Sequence, residues 1–221
     1  MQKDFFNSTR FPGKREKLMN KQNSTVMKLA ETALLAALCY VSFTFLQIKI
    51  PVPGGDATSL HIGNTFCVLG ALLLGGWYGG LAGSIGMTIA DLMDPVYITG
   101  APKTFVLKLC IGLITGLVAH KIAKINETND KKYVFKWSLI ASIAGLAFNV
   151  IADPIVGYFY KQYILGQPQE VAGILAKLSA GATFVNAIVS TILVVIIYNA
   201  VRPALIKANL IHVYVTAANA K

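Results

Sequence analysis

The stretch MKLAETALLAALCYVSFTFLQI, residues 27–48, decides the fold. About twenty mostly apolar residues in a helix cross the roughly 30 Å of hydrocarbon in a bilayer. Further apolar stretches follow at about 61–76, 79–93, 104–123, 134–157 and 180–200. In lipid every backbone amide needs an internal partner, and this chain lacks the alternating pattern of a membrane β-barrel. The sequence therefore predicts an all-α integral membrane bundle of six transmembrane helices.

Positive charge is unevenly distributed along a chain whose net charge is +10. Most lysines and arginines lie before the first stretch, around the loop 124–136, or after residue 201. Because cytoplasmic loops are enriched in such residues, both termini are predicted to be cytoplasmic, and this placement argues against a nucleic-acid footprint. The longer connections 49–60, 94–103 and 158–178 then face outward. We expect a basic cytoplasmic tail at 1–26, a membrane domain at 27–203 and a cytoplasmic C-terminal segment at 204–221.

Small residues recur at helical spacing in two places. Three alanines share one face of the first stretch, Ala30, Ala33 and Ala37. Small residues four apart let two helix backbones approach closely, so this face either docks a partner or packs inside the bundle. The segment GGWYGG at 75–80 predicts a tight turn. Close packing is predicted for the glycines of this region, Gly76, Gly79, Gly80, Gly83 and Gly86.

Polar side chains cluster at one predicted depth, in the outer half of the membrane. They are His61, Asn64, Asp91, Asp94, Tyr97, Lys108, Asn149, Asp153 and Asn186. Polar groups in apolar spans are costly, so they usually pair with each other or line a cavity. Structural pairs, such as Asp91 with Lys108, and helix caps at Asp94 and Asp153 are one interpretation. Their common depth beneath long outer connections favours a ligand pocket.

No motif for catalysis, nucleotide binding or metal binding is found in the sequence. It lacks HExxH, GxSxG and Walker patterns, and Cys39, Cys67 and Cys110 lie singly in apolar stretches. We therefore expect neither an enzyme, nor a cofactor, nor a metal site. The chain also shows no inverted repeat of the kind found in secondary transporters.

Several motifs together resemble one family. AETALLAALCYV (30–41), IKIPVPGG (48–55), LHIGNTFCVLGALLLGGWYGGLAGSIGMTIADLMDP (60–95) and FVLKLCIGLITGLVAHKI (105–122) are similar to the substrate-binding S components of energy-coupling factor (ECF) vitamin transporters. The likeness is to the riboflavin-type S-component family, especially members assigned to hydroxymethylpyrimidine or vitamin B6. It covers about residues 27–200.

The resemblance implies a subunit in the bacterial plasma membrane that captures a vitamin from outside. It would then dock on one transmembrane coupling protein and two cytoplasmic ATPases, with Ala33 and Ala37 facing the coupling protein. It also implies that the loop after the first helix covers the substrate. That lid would include Pro51, Pro53, Gly54, Gly55 and Asp56. A self-sufficient secondary carrier, or less plausibly an intramembrane enzyme, is the alternative.

The charged residues of the sequence narrow the class of vitamin. No arginine occurs between Arg15 and Arg202, which disfavours a polyanion that needs bidentate clamps. We therefore expect an uncharged or weakly basic heteroaromatic vitamin, with pyridoxine or hydroxymethylpyrimidine ahead of riboflavin.

Overall fold

The computed structural model describes residues 14–52, 56–208 and 210. These residues contain six α-helices: α1 (Lys14–Phe45), α2 (Gly63–Leu74), α3 (Gly76–Met93), α4 (Ala101–Gly116), α5 (Lys131–Phe159) and α6 (Gln169–Lys207). Two strands, β1 (Gln47–Val52) and β2 (Asp56–His61), form an antiparallel hairpin between α1 and α2. Two π-helical turns, Leu117–Ile122 and Tyr160–Ile164, extend α4 and α5. Short 3-10 turns, Ile98–Gly100 and Ile125–Glu127, precede α4 and α5.

Helix length and composition fit a multi-pass membrane protein. In the described part of the chain, four helical segments are long and apolar enough to cross a membrane, namely Thr25–Phe45, Ile98–Glu127, Lys131–Ile164 and Gln169–Lys207. Helix α2 is apolar but has only 12 residues, and α3 has 18. The expectation of a helical bundle is confirmed. The number of crossings, and the side on which each terminus lies, stay predictions.

The short helix α2 occupies the centre of the bundle. It packs against α1, α3, α4 and α6, and nine of its residues are buried, from Gly63 to Leu72. On α2, Val68 and Leu72 are fully buried, and they belong to the main apolar core together with Ile111 and Met87. A ring nitrogen of His120 lies 3.0 Å from the carbonyl oxygen of Ala71, in the last turn of α2. The His120 ring therefore satisfies one of the carbonyl groups that a helix end leaves without an internal partner.

Glycines let α3 and α4 approach each other more closely than other side chains would allow. A methyl group added at Gly112 would lie 2.2 Å from the Cα of Gly80, and one added at Gly116 would lie 2.2 Å from the Cα of Gly76. Gly76 and Gly80 are four residues apart on α3, and Gly112 and Gly116 are four residues apart on α4. Each pair therefore lies on one face of its helix. The predicted close packing of this region is confirmed. The turn before α3 is shorter than predicted, because only Gly75, with a φ of 95°, separates α2 from α3.

The connection after the first helix differs from the irregular loop that was predicted at 49–60. Ile48, Ile50 and Val52 alternate with other residues, as expected for a strand, and β1 pairs with β2 from Gln47 opposite His61 to Val52 opposite Asp56. Pro51 is tolerated because each strand of a two-stranded hairpin is an edge strand. The all-α prediction is thus corrected by one small sheet. Pro53, Gly54 and Gly55 of the predicted lid lie outside the described residues.

The predicted linker at 158–178 is mostly helical. Helix α5 continues through Pro154 to Phe159, and α6 already begins at Gln169. A proline inside a helix removes one hydrogen bond, but neighbouring helices can compensate for that loss in a membrane bundle. With 39 residues, α6 is about 58 Å long at 1.5 Å per residue, which exceeds the roughly 30 Å thickness of a hydrocarbon layer.

The chain ends also differ from the predicted segments. Helix α1 runs without interruption from Lys14, so the second half of the predicted tail continues the first helix. Helix α6 extends to Lys207, beyond the predicted end of the last span. Residues 1–13, 209 and 211–221 lie outside the described residues.

Candidate ligand-binding site

A cavity opens at the end of the bundle where α3 and α5 end and where α4 and α6 begin. Its volume is about 140 Å³, and β2 and the turn after α3 contribute to its wall. Because consecutive helices alternate in direction, polar residues distant in sequence meet at this one end. Most of the polar residues that were predicted to lie at one depth meet at this cavity.

A partly buried ion pair links α4 to α5 at the cavity. The Nζ atom of Lys103 lies 2.8 Å from Oδ1 of Asp153, and the two side chains are only 16% and 13% exposed. The hydroxyl group of Ser179, on α6, donates a hydrogen bond to the other carboxylate oxygen of Asp153. Both oxygens of Asp153 are therefore engaged within the protein. Removing one partner of a buried pair leaves an uncompensated charge, so the triad fixes the relative positions of three helices.

Asp91 and Lys108 provide a second pair of opposite charges in the cavity wall. Asp91 is 3% exposed, and the Thr104 side chain is close enough to influence its carboxyl group. Lys108 is 7% exposed, and its ammonium group makes no hydrogen bond or ion pair with any residue that the structure describes. Asp153 and Asp91 act on it only at longer range. The interpretation of Asp91 and Lys108 as a structural pair is not supported by this geometry.

Aromatic rings form one side of the cavity. The rings of Phe43 and His61 meet edge to face, with their centres 4.6 Å apart, and the centres of Phe43 and Tyr97 are 6.1 Å apart. Tyr160 closes another part of the wall and donates a hydrogen bond of 2.8 Å to the carbonyl oxygen of Thr99. The cavity therefore offers aromatic faces beside charged groups, which suits a flat, polar, heteroaromatic molecule.

The hairpin is held over the cavity by specific contacts. The side-chain oxygen of Asn186 accepts a 3.0 Å hydrogen bond from the His61 amide, and its nitrogen donates one of 3.0 Å to the Ser59 carbonyl oxygen. At the other strand, Lys49 pairs with Asp94 and lies 5.4 Å from the centre of the Tyr97 ring. The hairpin is thus fastened to α6 and to the turn after α3.

Two titratable side chains near the hairpin have shifted pKa values. Burial lowers the pKa of the His61 imidazole to about 3; the nearby Lys108 ammonium lowers it too, while Asp153 opposes the shift. Burial alone would raise the pKa of the Asp94 carboxyl group. The hydrogen bonds from Lys49 and from the Val96 amide outweigh that effect and hold this pKa below its usual value. His61 is therefore neutral and Asp94 ionised near pH 7.

Six of the nine predicted binding residues line the cavity: His61, Asp91, Tyr97, Lys108, Asp153 and Asn186. The other three, Asn64, Asp94 and Asn149, lie outside its lining. Asp94 pairs with Lys49 of the hairpin. The side-chain oxygens of Asn64 and Asn149 are buried and have no hydrogen-bond partner in the part of the chain that the structure describes. Sequence reasoning missed Phe43, Lys103, Thr104 and Ser179. The sequence held one signal for this ion pair. Lys103 is a lysine in a connection with few charges, and Asp153 is an acidic residue in an apolar stretch.

The alanine face of α1 points away from the rest of the bundle. Ala30, Ala33 and Ala37 are exposed, whereas the neighbouring Ala36 and Cys39 are buried. A methyl group added at Gly86 of α3 would lie 2.2 Å from the Ala36 carbonyl oxygen, so internal packing uses that other face. The exposed alanines therefore remain accessible to a partner or to lipid. Within the described residues, no three metal-ligating side chains converge on one point.

Comparison with known proteins gives two matches. The family model described as "ECF-type riboflavin transporter, S component" matches residues 23–203. The solved structure of ThiT from Listeria monocytogenes is similar in fold, with a TM-score of 0.59 and 18% sequence identity over 83% of this chain and 98% of that chain. Among curated proteins, no sequence matches this chain. The structural likeness extends over nearly the whole of ThiT, so the two proteins share one fold.

Proposed function

This chain belongs to the family of ECF-type riboflavin transporter S components, and on that premise we propose that it captures a single-ring heteroaromatic vitamin beneath the β1–β2 hairpin. Family membership implies a membrane-embedded, vitamin-binding subunit of a transporter, because both the family and the fold are those of transporter S components. The observation that carries the proposal is the polar, aromatic-walled cavity at one end of the bundle.

Cavity size favours a small vitamin. The volume of about 140 Å³ is close to that of an engineered cavity of about 150 Å³ that holds one benzene ring. Pyridoxine and hydroxymethylpyrimidine each have one ring, whereas the isoalloxazine of riboflavin has three. We therefore place the single-ring vitamins ahead of riboflavin.

Charge distribution supports an outward-facing cavity. Lys121, Lys124, Lys131 and Lys132 lie at the opposite end of the bundle, where α4 ends and α5 begins. Because basic residues are enriched on the cytoplasmic side, the cavity would open to the outside and both termini would be cytoplasmic. A vitamin could then enter from outside and be covered by the hairpin.

Delivery of the vitamin would require docking on an energy-coupling module of one transmembrane coupling protein and two ATPases. The exposed face of Ala30, Ala33 and Ala37 suits close approach by another helix, because small side chains allow backbone contact. Lipid chains would cover the same face in the undocked subunit.

Reconstitution tests this function. Proteoliposomes holding the subunit alone should bind a vitamin without concentrating it, and accumulation should begin when the coupling module and ATP are added. Mass spectrometry of the ligand retained on the purified protein identifies the vitamin. Accumulation by the subunit alone under an ion gradient would instead establish a secondary carrier, and turnover of a lipid or peptide would establish an enzyme.

A further inference from the structure

The Lys108 ammonium group is a buried positive charge that faces the cavity and has no partner among the residues that the structure describes. It lies on α4, is 7% exposed, and lines the cavity together with Lys103, Asp91 and Asp153. Unpaired charges are rarely left in a dry interior, because their loss of hydration costs several kcal/mol. In the described residues, nothing within hydrogen-bond or ion-pair distance compensates this group.

The nearest carboxylates are already engaged. Asp153 binds Lys103 through one oxygen and Ser179 through the other. Asp91 interacts with the Thr104 hydroxyl group and acts on Lys108 only at longer range. A ligand atom is therefore the natural partner for the ammonium group.

We propose that Lys108 binds an ionised oxygen on the ring of the ligand, so that the substrate class is a single heteroaromatic ring carrying an acidic oxygen. This inference rests on the proposed function and corrects the expectation of an uncharged or weakly basic vitamin. The oxygen can be an aromatic hydroxyl group that ionises, as in a 3-hydroxypyridine, or a ring carboxylate. Both present an anionic oxygen to the ammonium group, which strengthens the hydrogen bond.

Asp91 narrows the class further. Its carboxyl group lines the same cavity, where Thr104 also lies, and its two oxygens can accept a hydrogen bond from a ligand N–H or O–H group. A ring with an anionic oxygen at one position and a hydrogen-bond donor at another would satisfy both residues. The oxygen would bind Lys108, and the donor would bind Asp91. A 3-hydroxypyridine in its zwitterionic form, with an ionised oxygen and a protonated ring nitrogen, has this arrangement.

Two pairs of probes test the role of the ionised oxygen. One pair is pyridoxine and its 3-O-methyl ether; the other is nicotinate and nicotinamide. Within each pair the molecules are nearly equal in size, but only the first member carries the ionised oxygen. Equilibrium binding to the full chain in nanodiscs should show at least about tenfold tighter binding of that member in the pair the cavity accepts. A difference in affinity within the pyridoxine pair would identify the ionised oxygen as an aromatic hydroxyl group. A difference within the nicotinate pair would identify it as a ring carboxylate.

Substitution of Lys108 provides a second test of the proposal. Lys108→Met keeps the side-chain length and removes the charge, so it should erase the preference within the pair by lowering the affinity for the ionised member. Lys108→Arg should restore part of the preference. Lys177→Met, at an exposed lysine of α6, is the matched control and should change neither affinity. Thermal unfolding without ligand should show Lys108→Met to be at least as stable as the unmodified protein, because an uncompensated charge is removed.

Three results would overturn the inference. The first is equal affinity of the unmodified protein for both members of each pair, a comparison that needs no variant. The second is an equal loss of affinity for both members in Lys108→Met. The third is preferred binding of uncharged hydroxymethylpyrimidine or riboflavin; ATP-driven uptake of that vitamin would leave the proposed function intact while this inference fails.

Discussion

Asn186 of α6 holds His61 of β2 in place through a 3.0 Å hydrogen bond from the His61 amide to the Asn186 side-chain oxygen. The same side chain donates to the Ser59 carbonyl oxygen, so one amide group satisfies both a donor and an acceptor of the hairpin backbone. Both hydrogen-bonding groups of Asn186 are therefore used by the protein itself. We infer that Asn186 positions the hairpin over the cavity, whereas the sequence suggested that it contacts the ligand.

Replacing Asn186 should loosen the hairpin. Asn186→Ala removes two hydrogen bonds, each contributing about 1 kcal/mol, so the bound vitamin should dissociate about ten to thirty times faster. Stopped-flow or filter-binding measurements of ligand release check this rate. Asn199→Ala is the control, because Asn199 bonds the Val195 carbonyl oxygen farther along α6. Unchanged release from Asn186→Ala would show that the hairpin does not limit dissociation.

Acid should speed ligand release through His61. The pKa of His61 is about 3 in the closed structure, whereas an exposed histidine has a value of about 6.5. An opened hairpin therefore binds a proton more readily than the closed one, and lowering the pH favours opening. From pH 7.5 to 5.5 the opening equilibrium should shift about tenfold, with most of that change below pH 6.5.

The control for this pH dependence is His61→Asn, which keeps an acceptor for the Gly63 amide and cannot titrate in this range. Lys108 and Asp153, which also face His61, and the ligand itself would still titrate in that variant. A pH dependence of release that is the same in His61→Asn as in the unmodified protein would assign the effect to those other groups.

The exposed alanine face should matter for transport and not for binding. Ala33→Trp and Ala37→Trp each block close helix approach, so both should retain vitamin affinity and lose ATP-driven uptake. Copurification with the coupling module and uptake into proteoliposomes measure the two effects. Ile151→Trp, at an exposed residue of α5, is a control of equal bulk. Normal transport by both alanine variants would mean that this face only contacts lipid.

The glycine contact between α3 and α4 should set the stability of the bundle. Gly112→Ala places a methyl group 2.2 Å from the Gly80 Cα, and backbone atoms cannot move away cheaply. We expect a loss of at least about 2 kcal/mol, measured by thermal or chemical unfolding in detergent. Gly173→Ala, whose added methyl group meets nothing within 4 Å, should instead be neutral or stabilising by about 0.5–1 kcal/mol. Equal effects of the two substitutions would argue against a tight helix contact.

Asp91 and Asn149 should behave differently on substitution. Asp91 lines the cavity, so Asp91→Asn should lower vitamin affinity by about tenfold, consistent with the loss of a charge-assisted hydrogen bond. Asn149 is buried outside the cavity lining, so Asn149→Ala should leave affinity within about twofold. Isothermal titration on both variants, with unfolding temperatures measured in parallel, separates binding from folding. A large loss of affinity in Asn149→Ala would extend the site deeper into the bundle than the cavity seen here.

The sequence by itself determined the class of the protein. Long apolar stretches can satisfy their backbone only as helices, so the bundle follows from composition and length. Small residues at intervals of four predicted close helix contacts, because this spacing places them on one face of a helix. The sequence also predicted that His61, Asp91, Lys108 and Asp153 lie at the same end of the bundle, because consecutive helices alternate in direction.

Only the tertiary structure decided how each polar side chain is used. Helical spacing places a residue at a depth and on a face, but the rotation and tilt of six packed helices determine which faces meet. That packing joins Asp153 to Lys103 and Ser179, uses Asn186 to hold the hairpin, and keeps Asn149 out of the cavity. Among the described residues it leaves Lys108 without a partner. Whether two buried charges form an ion pair depends on distances of a few ångströms between side chains from segments far apart in the chain. A local sequence pattern does not contain these distances.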